Sequence, residues 1–220
     1  MNETLFFVHV FLVLGFVLAA LRLGKEALIV WIVLQAILAN FFVLKQMLFF
    51  GFNVTCSDVF VIGSIVSLNL LQEYFGKESA RKALWISFFA LLFYTLMSQI
   101  HLLYTPSNND TTHTSFTQLL NVAPRLLVAS MTTFFIVQKL DIHLFNLLKK
   151  VFPTTPFAIR SFSSLIIMQL LDTALFSYLG LYGLGFALSD IIIISFLLKL
   201  LIIACTLPIN LFARRLHHEI

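Results

Sequence analysis

The sequence predicts an all-α protein whose helices cross a membrane several times. Of its 220 residues, 60% are hydrophobic and only 11% are charged, and the mean hydropathy is +0.99. A soluble domain usually carries about 25% charged residues, so a soluble protein of this composition would lack a polar surface. Apolar stretches also recur at roughly the 20-residue length that a helix needs to cross a bilayer. These observations exclude a soluble enzyme, a nucleic-acid-binding domain and a secreted disulfide scaffold.

Seven apolar segments are predicted as membrane-spanning helices. In order they are Thr4–Leu21, Ala27–Phe49, Asp58–Phe75, Leu84–Tyr104, Leu119–Gln138, Phe157–Tyr182 and Ala187–Ala213. They are too long for strands and do not alternate apolar with polar residues, so they indicate helices and not the strands of a barrel. The first segment has no Lys or Arg before its apolar core. Because a secretory signal begins with a basic region, we expect this segment to remain as an uncleaved anchor.

The segment Lys139–Phe152 follows the fifth span and repeats apolar residues at helical spacing, with lysines between them. This pattern predicts either a cytoplasmic extension of the fifth helix or an amphipathic helix in the membrane interface. Pro153 and Pro156 then break the chain before the sixth span.

The basic residues predict the orientation in the membrane. Lys or Arg residues follow the first, third, fifth and seventh spans, namely Arg22, Lys25, Lys77, Arg81, Lys82, Lys139, Lys149, Lys150, Arg214 and Arg215. The alternate loops Thr105–Gln118 and Gly183–Phe186 contain neither, and Lys45 alone goes against the pattern. Cytoplasmic loops carry the excess of Lys and Arg. We therefore expect a cell inner membrane protein with its N-terminus outside and its C-terminus in the cytoplasm.

Several polar residues lie inside the predicted spans, where they are rare and usually face a bundle interior or a water-filled cavity. They are Asn40, Asn69, Glu73, Arg125, Gln169, Asp172 and Lys199. Each central Arg, Lys or Asp costs roughly 2.5–3.5 kcal/mol to insert, so such residues need partners. Spacings of three and four place Gln169 with Asp172, and Asn69 with Glu73, on shared helix faces. The stripes predict a polar interior that binds a ligand. A buried Asp172–Lys199 pair that only fixes helix packing is the alternative.

Other polar residues give no sign of chemistry. The motifs of hydrolases, zinc proteases and nucleotide-binding loops are absent from the sequence, so we do not expect an enzyme or a cofactor. His9, His101, His113 and His143 share no ligand spacing, and two cysteines form no framework, so we expect no metal site. Asp58 and Asp190 stand at outer span ends, where we expect helix N-caps or solvated side chains.

Four stretches of the chain together resemble the queuosine precursor transporter family of vitamin-uptake-like membrane proteins. The stretches are Asn69-Leu-Leu-Gln-Glu-Tyr-Phe-Gly-Lys with Ala80-Arg81, Arg125-Leu-Leu-Val-Ala-Ser with Gln138-Lys-Leu-Asp-Ile-His-Leu-Phe145, Ser164 with Gln169-Leu-Leu-Asp172-Thr173, and Lys199 with Pro208. Asn40 fits the asparagine of the family's first common helix, and the resemblance covers about Trp31 to Phe212. Asn69 stands where the family usually has Asp, and Pro124 where it usually has Ala.

The resemblance implies a transporter for 7-deazaguanine compounds that are used to make the queuosine base of transfer RNA. The implied substrates are queuine, 7-cyano-7-deazaguanine and 7-aminomethyl-7-deazaguanine. It also implies a six-helix core similar to the substrate-binding subunits of energy-coupling-factor transporters. Residues 27–220 would form this transport domain and residues 1–26 an extra N-terminal transmembrane helix. The alternative function is a membrane scaffold or assembly subunit whose buried charges only hold helices together. The energy source, any energising partner and the oligomeric state stay open.

Overall fold

A computed structural model of the chain describes residues 1–152, 154 and 157–201, and in them it has the all-α architecture of a polytopic membrane protein. The helices are α1 (Asn2–Leu23), α2 (Lys25–Phe42), α3 (Asp58–Phe75), α4 (Lys77–Leu102), α5 (His113–Leu120), α6 (Ala123–Val151) and α7 (Phe157–Phe176). A π-helical turn, Ser177–Leu181, continues α7, and residues 188–201 form α8. A hairpin of β1 (Gln46–Phe49) and β2 (Phe52–Thr55) connects α2 to α3.

Five stretches within the described residues are long and apolar enough to cross a membrane. They are Asn2–Leu23, Lys25–Phe42, Lys77–Leu102, His113–Val137 and Ser163–Leu181. The helix α3 has the bounds that the sequence predicts, Asp58–Phe75. Of the seventh predicted span, Ala187 precedes the helix, residues 188–201 are helical, and residues 202–213 lie outside the described residues, as do Pro153, Pro156, Arg214 and Arg215. The surface fits a lipid environment, because large apolar side chains such as Phe11 and Phe89 are more than 70% exposed.

The second predicted span, Ala27–Phe49, is wrong at its end. The helix α2 stops at Phe42, and Gln46–Phe49 instead pairs antiparallel with Phe52–Thr55. The two residues of the turn, Phe50 and Gly51, have φ of 49° and 86°. Positive φ at both positions is what a tight two-residue hairpin turn requires. An apolar strand of four residues cannot be told from the last turn of an apolar helix by composition, which is why the sequence misled.

Hydrogen bonds to α1 and to α8 hold the hairpin in place. The Asn2 side-chain amide donates to the carbonyl of Leu48 at 2.9 Å, and the backbone N–H of Phe50 donates to the Glu3 carboxylate at 3.1 Å. On the other side, the backbone N–H of Asn53 donates to the Asp190 carboxylate at 3.1 Å. The hairpin thereby joins the beginning of α1 to the beginning of α8. We call this side of the bundle the hairpin end.

The helix α3 lies at the centre of the packing, against α1, α2 and α4. Val17 of α1, Leu28 of α2, and Val66 and Leu70 of α3 are almost fully buried in one apolar cluster. Gly63 permits a close approach, because a Cβ atom there would overlap the side-chain oxygen of Gln35. The first helix therefore packs into the same core as the second and third.

The helix α6 is continuous from Ala123 to Val151. Residues 139–151 are therefore a helical extension of the fifth span, and the cytoplasmic side of that extension stays a prediction. At about 1.5 Å per residue, a helix of 29 residues is longer than the roughly 30 Å of a bilayer's hydrocarbon core. One end of α6 therefore extends beyond the hydrocarbon layer.

Candidate functional site

A cavity of about 280 Å³ lies among the helices. Side chains of α2, α3, α4, α6, α7 and α8 line it, together with Thr55 of β2 and the π-helical turn after α7. Small-molecule sites usually begin at about 300 Å³, so the cavity suits a compact ligand. Its apolar lining includes Phe60, Phe88 and Phe176, whose rings can cover the faces of a flat molecule.

The polar centre of the cavity is an ion pair between α7 and α8. Lys199 Nζ lies 2.7 Å from Asp172 Oδ2 and donates a second hydrogen bond to Thr173 Oγ1 at 2.9 Å. The Lys199 side chain is 10% exposed and that of Asp172 is 35% exposed. The Thr173 hydroxyl donates a hydrogen bond to the Gln169 carbonyl at 2.8 Å. The lysine is therefore held on two oxygen atoms, while the carboxylate keeps accessible surface beside the cavity.

A second carboxylate lines the same cavity. Asp58, in the first turn of α3, is only 6% exposed, and both of its carboxylate oxygens lie 2.9 Å from Ser195 Oγ. The expectation that Asp58 is an N-cap or a solvated residue is wrong, since Ser57 holds the cap position and Asp58 is buried. Sequence spacing offered one signal, because Ser195 and Lys199 are four residues apart and share a face of α8.

Two further polar side chains line the cavity, and neither is among the residues that the sequence places in a site. Thr133 is 2% exposed, and its Oγ1 has no hydrogen-bond partner in the described part of the chain. The same holds for Oε1 of Gln35, which is 1% exposed. The orientation of the Gln35 amide is fixed. Its Nε2 lies 3.3 Å from Ser67 Oγ and 3.4 Å from the Trp31 carbonyl, and the Ser67 hydroxyl itself donates to Gly63 at 2.7 Å.

The structure brings together three of the seven residues that the sequence places in a site. Asn40, Asp172 and Lys199 line the cavity. The side-chain amide of Asn40 donates to the Ala36 carbonyl at 2.9 Å, which leaves its oxygen as an acceptor. Gln169 is half-buried one turn from Thr173 and is not among the lining residues.

The remaining predicted site residues lie elsewhere. Asn69 and Glu73 are exposed near the end of α3 that is remote from the hairpin. Arg125 donates from Nε to the Leu179 carbonyl at 2.9 Å and from Nη2 to the Tyr182 carbonyl at 2.6 Å. It therefore holds the turn after α7 that contributes Ser177 and Leu181 to the cavity. A direct role of these residues in binding stays a prediction.

The residues described here offer no metal centre, since no three His, Cys, Asp or Glu side chains among them converge as ligands. The charged side chains of the described cavity lining are Asp58, Asp172 and Lys199. This set can accept hydrogen bonds on two carboxylates and donate from one ammonium group. It suits a compact ligand that is rich in N–H donors.

Comparison with known proteins gives two matches. Residues 55–213 match the model of the family described as "Putative vitamin uptake transporter". The chain is also 30% identical, over 197 residues, to a protein of Bacillus subtilis (strain 168) that is named "Probable queuosine precursor transporter". That alignment covers 88% of this chain and 86% of the relative. No solved structure matches the chain significantly.

Proposed function

The chain belongs to the putative vitamin uptake transporter family, and we propose that the compound it carries across the membrane is a 7-deazaguanine precursor of queuosine. The substrate class comprises 7-cyano-7-deazaguanine, 7-aminomethyl-7-deazaguanine and queuine. The observation that carries the proposal is the cavity inside the helical bundle, with Asp172 and Lys199 in its lining. The matched relative supports it, since its name includes a queuosine precursor.

The hydrogen-bonding groups and the flat shape of the ligand match the lining of the cavity. A 7-deazaguanine has a flat bicyclic body, an edge with a ring N–H and an exocyclic amine, and one carbonyl acceptor. The accessible carboxylate of Asp172 accepts both donors of that edge, and Lys199, with one of its three protons still free, donates to the carbonyl. Asn40 offers its side-chain oxygen to a further donor. Phe60 and Phe176 cover the ring faces.

The transported compound leaves unchanged in this proposal, so the protein is not an enzyme. The membrane is the cell inner membrane, with the hairpin end outside and the basic loops in the cytoplasm. A bundle that binds the ligand between α7 and α8 gives transport if the cavity opens to each side in turn.

One observation favours the second candidate, a membrane scaffold. Lys199 and Asp172 satisfy each other at 2.7 Å without any ligand, as a pair that only locks helices would. Direct binding separates the two candidates. The purified full chain is titrated with 7-cyano-7-deazaguanine, and uptake of the same compound is measured in cells unable to make queuosine. Binding with uptake supports the transporter, and a folded protein that does neither supports the scaffold.

A further inference from the structure

The cavity contains one more negative than positive side chain. Its charged lining residues in the described structure are Asp58, Asp172 and Lys199, and Lys199 is already paired with Asp172 at 2.7 Å. Among the described residues, the hydroxyl group of Ser195 is the hydrogen-bond donor to the Asp58 carboxylate, although an ionised carboxylate can accept about four hydrogen bonds. Burial of a carboxylate without a cation is costly. A positively charged group of a ligand placed beside Asp58 would offset that cost.

The surroundings of Asp58 are built from oxygen atoms. Thr55 Oγ1 and Ser57 Oγ lie 2.8 Å apart, next to Asp58 in the chain, and both residues line the cavity. Ser195 faces them from α8. We call these four residues, Thr55, Ser57, Asp58 and Ser195, the Asp58 subsite. Hydroxyl and carboxylate oxygens suit an ammonium group, which has three N–H donors and no acceptor.

One polar atom in the wall of the cavity is unpartnered in the described structure. Thr133 Oγ1 is buried in the cavity wall and has no hydrogen-bond partner in the described residues. Each such atom costs roughly 1–3 kcal/mol unless something bonds to it.

We propose that the Asp58 subsite binds the positively charged substituent of the ligand, so that the preferred substrate is 7-aminomethyl-7-deazaguanine. This inference rests on the proposed function. A primary alkyl amine resembles the lysine side chain, whose ordinary pKa is about 10.4, so the aminomethyl group is a cation at pH 7, whereas the cyano group is neutral. Ser195 and Lys199 are four residues apart on α8, a rise of about 6 Å. The subsite and the Asp172–Lys199 pair therefore lie at separate points along the cavity, as do the substituent and the guanine-like edge of the base.

The test compares two compounds that differ only in this substituent. The purified full chain is titrated by calorimetry with the cyano and the aminomethyl compound. A charge-assisted hydrogen bond is worth about 1.5–3 kcal/mol, so the wild type should bind the aminomethyl compound on the order of 10- to 100-fold more tightly. Asp58→Asn, which keeps the shape of the side chain, should remove this preference and leave binding of the cyano compound within about threefold.

Asp190→Asn is the matched control. Asp190 lies on α8, the helix of Ser195, at the hairpin end, and it does not line the cavity. The Asp190→Asn variant should therefore keep the preference for the aminomethyl compound. Ser195→Ala serves as a second variant in case Asp58→Asn does not fold. It retains the carboxylate and removes one hydroxyl oxygen of the subsite, so the aminomethyl compound should bind less tightly while binding of the cyano compound stays within about threefold. Equal weakening of both compounds in that variant would overturn the inference.

The remaining outcomes distinguish the possible failures. If the wild type binds both compounds equally, or if Asp58→Asn weakens both equally, the inference is wrong while the proposed function stands. If the wild type binds neither compound, both are wrong. The titrations are repeated with choline in place of Na⁺. If Na⁺ tightens binding of both compounds and Asp58→Asn abolishes that effect, the subsite holds an inorganic cation, and the assignment to the ligand's substituent is overturned.

Discussion

Removing both charges of the Asp172–Lys199 pair together tests whether the pair belongs to a ligand site or only holds the helices in place. Asp172→Asn alone leaves the ammonium group of Lys199, 10% exposed, with Thr173 Oγ1 and a neutral amide. Breaking a buried pair typically costs about 3–5 kcal/mol. Since the Asp172 side chain is 35% exposed, solvent screening lowers this, and we expect a loss of about 1–3 kcal/mol in the free energy of unfolding.

The double variant Asp172→Asn with Lys199→Met should recover most of that stability. It removes the two charges together, so no uncompensated charge is left in the bundle, and replacing a buried pair by apolar groups is often neutral or stabilising. We expect its unfolding temperature to return close to that of the wild type. Unfolding is followed by fluorescence-detected gel filtration of the detergent-solubilised chain after heating at a series of temperatures.

Ligand binding by the double variant distinguishes a ligand site from a purely structural pair. If Asp172 accepts two donors of the base, its loss leaves them unpaired at roughly 1–3 kcal/mol each, which weakens binding on the order of 30-fold or more. The assay is the calorimetric titration of the folded variant with 7-cyano-7-deazaguanine. A double variant that folds like the wild type and binds within about threefold of it would refute the assignment of both residues to the site.

Three further predictions concern the surrounding structure. Gly63→Ala should lower the free energy of unfolding by about 1–3 kcal/mol through overpacking against Gln35 and Val13. Gly15→Ala is the control, because a Cβ there meets nothing within 4 Å, and it should not lower stability. Equal unfolding temperatures of the two variants would contradict this packing. Arg125→Lys should reduce stability by about 1–2 kcal/mol, because one ammonium group cannot bridge two carbonyls as the guanidinium does; unchanged thermal unfolding would refute it. Burial raises the pKa of the Cys56 thiol, so an impermeant maleimide should label Cys56 on intact cells slowly at pH 7 and faster towards pH 9, as the thiolate forms. Cys56→Ser is the control, and labelling only after lysis would reverse the orientation.

Much of the architecture could be predicted from the sequence, because long runs of apolar residues indicate membrane helices. Asp58–Phe75 was predicted to the residue. Helical spacing predicted a helix after the fifth span, and the continuity of α6 then chose the extension over a separate interfacial helix. The hairpin was missed because Gln46–Phe49 is as apolar as the helix before it, and its pairing depends on the conformation of Phe50 and Gly51.

The site was predictable only in part, for a different reason. A charge in mid-span is expensive wherever it stands, so Asp172 and Lys199 were visible from the sequence. Asp58 stands at a span boundary, where a carboxylate is ordinary, and only the packing of α8 against α3 shows that it is buried beside Ser195. Gln35 and Thr133 are uncharged, so the sequence gives no cost that marks them. Only the structure shows that each has a buried oxygen without a hydrogen-bond partner in the described residues.

The unpartnered atoms bear on the choice between a scaffold and a transporter. A chain whose task was to hold helices together would be more stable if Thr133 and Gln35 were apolar, since each lone buried polar atom costs about 1–3 kcal/mol. The same is true of Asp58, which one hydroxyl group cannot satisfy. Asp58 lines one cavity together with the Asp172–Lys199 pair. Charged groups that are costly to bury and meet at a single space are accounted for by a ligand that binds to them, and that argument favours the transporter.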